Sequence, residues 1–311
     1  MKVIGVVEYG GPEALRVFEV PEPHAGAGEV RIRVHAAAVN PTDTLVRDGS
    51  RAESQKEFAP PYVPGMDAAG VVDEIGDGAN TDLAIGDEVM AIVVPRGSHG
   101  AYSDHVVVPA ESVVRTPAGA SLVEASTLPM NGLTARRALD LLGLQPGQTI
   151  AVTGAAGAFG GNVVQLANAD GLRVIADASP ADVALVRGLG AEVVPRGDDV
   201  AERIRALVPE GVDGLADGAL LFGLALPAVR DRGGFAVVRT YGGETERGIT
   251  IHPVWVRDYA RENAKLARLR EQVEEGVLTL RVAGTFDAER ASAAHRILET
   301  GGTRGRLVIE L

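Results

Sequence analysis

Three glycines are the residues of this chain with the clearest chemical meaning. Gly154, Gly157 and Gly160 lie in the run Thr149-Ile150-Ala151-Val152-Thr153-Gly154-Ala155-Ala156-Gly157-Ala158-Phe159-Gly160-Gly161, where an apolar β-branched stretch passes through small residues into a helical pattern. A strand, a tight turn and a helix in that order present backbone N–H groups at a helix N-terminus with no side chains in front of them. The helix dipole there favours a phosphate. The spacing, Gly-x-x-Gly-x-x-Gly, departs from the commoner G-x-G-x-x-G, and a tight strand-to-helix turn would need small residues on its own account. The strand before the turn, the helix after it and the βαβ units beyond point to a dinucleotide pyrophosphate.

Other chemistries are set aside by composition. The 311 residues include no cysteine, which removes disulfides, thiolate metal ligands and a cysteine nucleophile. The six histidines are scattered, so a tetrahedral zinc cluster has no ligand set; Asp67 and His99 are isolated and read as solvated or structural. Lysine occurs only at positions 2, 56 and 265, which argues against a lysine base or Schiff base. A net charge of −12 without a basic stripe repels a phosphate backbone, so nucleic acid is not an expected partner. No apolar run approaches the length of a membrane span, and the chain starts on a strand-like stretch, Lys2–Val7, without a signal pattern. A cytoplasmic protein is expected.

The elements that must position the glycine turn fall into two groups. Through about residue 120 the chain reads as short strands divided by turn signals: Val30–Ala37, Ala69–Ile75, Glu88–Val93 and Tyr102–Val108. Leu122–Leu142 carries helical spacing and stops near Gly143. Strands at Thr149–Thr153, Arg173–Asp177, Ala191–Pro195, Leu215–Asp217 and Phe235–Arg239 then alternate with helical patterns, among them Phe159–Asp170 and Ala181–Leu189, as in a doubly wound parallel sheet. A strand-like run at 249–256, a helix at 261–275, a strand at 280–286, a helix near 288–299 and a strand at 306–311 follow. The predicted fold is α/β: a β-rich domain at 1–122, completed by 260–311, and a Rossmann coenzyme domain at 123–259 inserted into it.

Several motifs, in order along nearly the whole chain, carry a resemblance. They are Ala38-Val39-Asn40-Pro41-Thr42-Asp43, Val63-Pro64-Gly65-Met66-Asp67-Ala68-Ala69-Gly70, Gly86-Asp87-Glu88-Val89, Gly100-Ala101-Tyr102, Leu128-Pro129-x-x-Gly132-Leu133-Thr134-Ala135, the coenzyme turn with Val164-Gln165-Leu166-Ala167, and Gly305-Arg306. Together they resemble the zinc-free medium-chain dehydrogenases/reductases of the quinone oxidoreductase branch. The resemblance implies a GroES-like catalytic domain beside the Rossmann domain, and a homodimer. Zinc-dependent relatives place a cysteine where Asn40 stands and Gly-His-Glu where this chain has Gly65-Met66-Asp67. Reduction of a conjugated carbonyl needs no Lewis acid, because the charge settles on an enolate or hydroquinone oxygen that one donor or a water can meet. Quinones and α,β-unsaturated carbonyls are therefore the expected substrates. An enoyl reductase for polyketide-like acyl groups, with the polar loop Arg51–Phe58 taking a larger substrate, and a non-catalytic NADPH sensor are the alternatives.

The resemblance also assigns roles. Asn40 and Thr134 match positions lining the nicotinamide and its ribose, with Asn131 one turn before Thr134; Asn40 could instead cap the turn before Pro41. Gly154, Ala156, Gly157, Ala158, Phe159 and Gly160 match the coenzyme loop, and Tyr241 matches a loop that contacts the nicotinamide. Tyr62 stands where substrates enter and is the candidate proton donor, with packing against the neighbouring prolines as its other reading. Asp43 reads as a hydrogen-bond acceptor and Tyr102 as core. For the cofactor, the ribose-binding acid of NAD enzymes falls on Ala178, while Ser179 and Arg196 match positions that hold the 2′-phosphate of NADPH. Asp177 is expected to point away from that phosphate. Against NADPH stand that adjacent Asp177 and Asp182, which occupies a place where many NADPH relatives carry lysine.

Overall fold

The computed structural model describes residues 1–311, which divide into two compact units: 1–130 with 257–274 and 280–311, and 131–256 with 275–279. The units change over at 130/131 and 256/257, where the sequence reading set 122/123 and 259/260.

The first unit opens on a two-stranded ribbon, β1 (Lys2–Gly5) and β2 (Arg16–Glu19). The long strand β3 (Glu29–Val39) alternates buried and open positions up to His35, and from Ala36 to Val39 is buried throughout. It leads through Asn40 into the short helix α1 (Pro41–Arg47) and the single turn α2 (Ala52–Gln55). Then come β4 (Asp67–Ile75), β5 (Glu88–Ile92), β6 (His105–Pro109) and β7 (Val113–Arg115). The sequence predicts one helix over 122–142. The chain makes two, α3 (Leu122–Ala125) and α4 (Pro129–Leu142), because Pro129 has no N–H to continue a helix and starts a new one. Ser121 and Glu124 cap α3 reciprocally.

The second unit is built on six parallel strands: β8 (Thr149–Thr153), β9 (Arg173–Ala178), β10 (Glu192–Pro195), β11 (Val212–Asp217), β12 (Val229–Val237) and β13 (Thr250–Pro253). Their order in the sheet is β10-β9-β8-β11-β12-β13. Numbered within the unit this is 3-2-1-4-5-6, the doubly wound order whose ligands lie at the carboxyl ends of the strands where the order reverses. Helices α5 (Ala158–Ala169), α6 (Val183–Gly188) and α7 (Val200–Leu207) make the first crossovers. Between β11 and β12 only two 3₁₀ turns remain. Ala151, Ile175, Leu215 and Phe235, all fully buried, anchor the core. Gln165 on α5 bonds both the backbone and the hydroxyl of Thr279, tying 275–279 to this unit.

After residue 256 the chain returns to the first unit. Helix α8 (Asn263–Glu274) is held there by Asn263 Nδ2 donating to the Val113 carbonyl (2.8 Å). Strand β14 (Val282–Asp287), helix α9 (Ala291–Thr300) and strand β15 (Arg306–Glu310) finish the chain. β15 pairs antiparallel with β3, with Val308 opposite Ala38, and the sheet runs β14-β15-β3-β4-β5-β7 with β6 also on β3. The β-rich unit is thus completed by the C-terminus.

Candidate functional site: a glycine turn and a buried polar cluster

In the second unit the glycine turn leaves β8 at the reversal of strand order, beside the end of β11. Gly154 takes φ +68°, a left-handed conformation that glycine adopts without penalty. A Cβ at Gly160 would come within 2.4 Å of the Gly154 carbonyl oxygen and 2.8 Å of the Ala155 Cα, so α5 starts directly against the turn. Gly157 is the N-cap residue of α5 and Ala158, Phe159 and Gly160 its first turn, whose N–H groups have no carbonyl of the helix to bond. At Gly160 the backbone occupies the place of a side chain, and the N–H groups of this first turn carry the positive end of the helix dipole. A pyrophosphate fits that cradle. Beside it, Asp217 accepts from Thr153 Oγ1 (2.6 Å) and from the backbone of Leu221 and Phe222, which fixes the neighbouring turn.

Asp177 sits at the end of β9, almost wholly buried, and its carboxylate is turned inward: Oδ1 accepts from Gly154 N at 2.6 Å. Burial raises its pKa, opposed by that N–H and by Arg196, whose Nε lies 3.6 Å from the other oxygen. Asp177 therefore braces the glycine turn. Ser179 Oγ donates to Asp182 Oδ2 (2.5 Å), so both residues matched to a 2′-phosphate face carboxylates here. Arg196 is half exposed. Asn131 and Thr134, on α4, are both buried. Tyr241 follows β12, packs on Phe222 and Phe235, and donates to the Glu244 carbonyl (3.1 Å).

In the first unit, Asn40 and Asp43 form a turn that opens α1. The Asp43 carboxylate accepts from Asn40 N (2.8 Å), Gly65 N (3.1 Å) and Tyr102 Oη (3.2 Å). The Asn40 side chain donates to Asp67 Oδ2 (2.6 Å) and to the Ala38 carbonyl (3.3 Å), so Asn40 both belongs to the cap and reaches beyond it. Asp67 Oδ1 accepts from Met130 N (2.6 Å). Asp67 is fully buried, not solvated. Burial pushes its carboxyl up to about 7 and that of Asp43 to about 6, against the pull of their donors and of the buried Arg306, which burial lowers to about 10. Tyr62 stacks on Tyr9, with centroids 5.2 Å apart, and its hydroxyl donates to the Phe58 carbonyl (3.3 Å). The packing partner is Tyr9, a residue the sequence reading did not single out.

Sequence reasoning also passed over Arg306 as a charge partner and His295 and Arg47 altogether. Arg306 was legible as an arginine beside the apolar run Leu307-Val308-Ile309 of β15. His295 was legible from spacing, because with Ala291 and Ala294 it forms the buried stripe of α9. No group of three or more His, Cys, Asp or Glu side chains could hold a metal ion. No helix is long and apolar enough to cross a membrane.

Comparison with known proteins places these features. The alcohol dehydrogenase GroES-like domain family matches residues 26–118, and a family described as zinc-binding dehydrogenase matches residues 189–309. The chain is 32% identical over 326 residues to a 2-haloacrylate reductase from a Burkholderia species, covering 96% of each. It is 31% identical over 219 residues to the human synaptic vesicle membrane protein VAT-1 homolog-like, covering 70% of this chain and 50% of that protein. The chain thus spans about half the length of that relative and of its mouse counterpart. Among solved structures, the quinone oxidoreductase from Coxiella burnetii superposes with a TM-score of 0.87 at 28% identity, over 100% of this chain and 99% of that one. A mycobacterial protein complexed with NADPH superposes with a TM-score of 0.87 at 26% identity, over the whole of both chains.

Proposed function

Because the chain belongs to the medium-chain dehydrogenase/reductase family, in its quinone oxidoreductase branch, we propose that it reduces quinones or α,β-unsaturated carbonyls with NADPH and without a metal. The observation that carries the reading is the glycine turn at the point where a six-stranded parallel sheet reverses its strand order. When bound, the reduced nicotinamide supplies the hydride. Gly154, Ala156, Gly157, Ala158, Phe159 and Gly160 form the pyrophosphate cradle. Ser179 and Arg196 take the 2′-phosphate by releasing their carboxylate partners, and the half-exposed guanidinium has the freedom to do so. Asn131, Thr134, Tyr241 and Asn40 serve the nicotinamide end. A mycobacterial neighbour complexed with NADPH is in keeping with the phosphorylated cofactor.

In the β-rich unit, Asn40 and Tyr62 are the residues we assign to catalysis. The Asn40 amide is fixed by two acceptors, Asp67 and the Ala38 carbonyl, so it is preorganised. The Tyr62 hydroxyl donates to the Phe58 carbonyl at 3.3 Å and also interacts with the Tyr9 side chain, and the long bond to the carbonyl is weak enough to exchange for a substrate oxygen. Independence from metal follows from chemistry: the chain has no cysteine, and Asn40 and Met66 occupy the places where zinc relatives carry ligands. We further read the protein as a cytoplasmic homodimer, as its resemblance to the family implies. The test is steady-state turnover with 1,4-benzoquinone and with methyl vinyl ketone in chelator-treated buffer. NADPH should be consumed one for one with either acceptor, and simple alcohols with NADP⁺ should give nothing. Saturation with NADPH and no turnover with any quinone or enone would overturn the reading.

A further inference from the structure

Four side chains from distant parts of the first unit form one continuous line of hydrogen bonds ending at the Asn40 turn. Arg47 Nη1 stands 3.4 Å from His295 Nδ1; His295 Nε2 stands 3.1 Å from Tyr102 Oη; Tyr102 Oη stands 3.2 Å from Asp43 Oδ2. Asp43 Oδ2 in turn accepts from Asn40 N (2.8 Å). All four side chains are buried, and the outer end is tied down by Arg47 Nη2 on Glu299 Oε1 (2.5 Å).

Donor and acceptor chemistry gives the line a direction. A guanidinium has only donors, so Nδ1 of His295 must accept. The imidazole is then the Nε2–H tautomer, and that hydrogen faces the tyrosine oxygen, leaving the tyrosine hydroxyl to donate to Asp43. Burial and the adjacent Arg47 hold His295 neutral, with its pKa pushed down to about 3, as this arrangement requires. Every hydrogen points toward Asp43. Two other charges face the inner end: Arg306, which attracts both Asp43 and Asp67, and Asp67 itself. The line therefore aims one oxygen of Asp43 at Asn40 N while the other is taken by Gly65 N, on the turn leading to Asp67. The two backbone segments that meet at the Asn40–Asp67 bond are set by the same carboxylate.

We propose that His295 is a positioning residue for hydride transfer, acting through Tyr102 and Asp43 to fix the Asn40 turn. This rests on the reductase reading above. A displacement of the order of an ångström in a catalytic group slows a reaction on the order of a hundredfold. Replacement His295→Ala should therefore lower the single-turnover rate of quinone reduction by on the order of 10- to 100-fold, with the NADPH dissociation constant changed less than about threefold. His295→Gln restores an acceptor toward Arg47 and a donor toward Tyr102 in one amide, so it should recover most of the rate. Tyr102→Phe removes only the hydroxyl and should reproduce the loss if His295→Ala does not fold. A wild-type rate in folded His295→Ala, with only the melting temperature reduced, would show a plain structural brace and overturn the proposal. So would a glutamine variant as slow as the alanine one. If the wild type itself turns over no quinone or enone, the reductase reading fails. Hydrogen exchange at residues 40–43 of the same proteins then decides the positioning: faster exchange in alanine, restored by glutamine, upholds it, and unchanged exchange contradicts it.

Discussion

At the scale of single residues, cofactor binding depends on which carboxylates are already engaged. Asp177 accepts from Gly154 N, and the proposed function gives the 2′-phosphate to Arg196 and Ser179. A guanidinium–phosphate contact is a charge-assisted hydrogen bond contributing about 1.5–3 kcal/mol. Arg196→Ala should thus weaken NADPH binding roughly ten- to a hundredfold and leave NADH nearly unchanged, in titrations at one fixed ionic strength. Equal weakening of both cofactors would make Asp177 the ribose ligand instead. His295 makes a second prediction at this scale. Its folded pKa, about 3, lies below the ordinary value of 6.5, so below pH 6.5 the unfolded chain takes up a proton that the folded one refuses. The stability it contributes is full above pH 6.5 and is lost as the pH falls toward 3. Between pH 6 and 4 the wild type should therefore lose up to about 1.4 kcal/mol per pH unit more than His295→Gln. Denaturant midpoints measured across that range check it; parallel curves would mean that His295 titrates normally in the fold.

At the scale of elements, the glycine turn separates binding from folding. A Cβ at Gly157 meets only the Gly154 carbonyl oxygen, at 3.2 Å, whereas one at Gly160 would overlap Gly154 O and Ala155 Cα. Gly157→Val should leave a folded protein that no longer binds NADPH, and Gly160→Val should be hard to fold at all. Circular dichroism and calorimetric titration distinguish the two; a Gly157→Val protein that binds normally would reduce this turn to a mere connection. The turn was legible in the sequence because its signal is local, a strand, small residues and a helix within about a dozen positions. Pro129 carried an equally local signal that helical periodicity overrode, which is why one helix was read where there are two. The bond of Asp177 to Gly154 N is not legible, since it depends on how β9 lies beside β8, not on neighbours in the chain.

At the scale of the whole molecule, the same distinction between local and distant holds. The return of the C-terminal strands to the first unit was read from their pattern, and β15 does pair with β3. The cluster around Asn40 draws on positions 40, 43, 47, 67, 102, 295 and 306, and the pairing of β4 and β15 with β3 and the packing of α9 help to bring them together. Motif reading singles out Asn40, the glycine turn and Asp43 as an acceptor, but not the His295, Arg47 and Arg306 side chains that complete the polar core around Asn40. In the proposed function these parts serve hydride transfer to a conjugated carbonyl without a metal. Its most direct test is isotopic, on protein stripped with chelator and assayed for bound zinc: single turnover of methyl vinyl ketone with NADPH deuterated at the transferable position of C4. Far less than one zinc per chain, undiminished turnover, and one deuterium at the β-carbon of the saturated ketone are expected. A product without deuterium at that carbon, or activity that vanishes with the metal and returns with zinc, would contradict it.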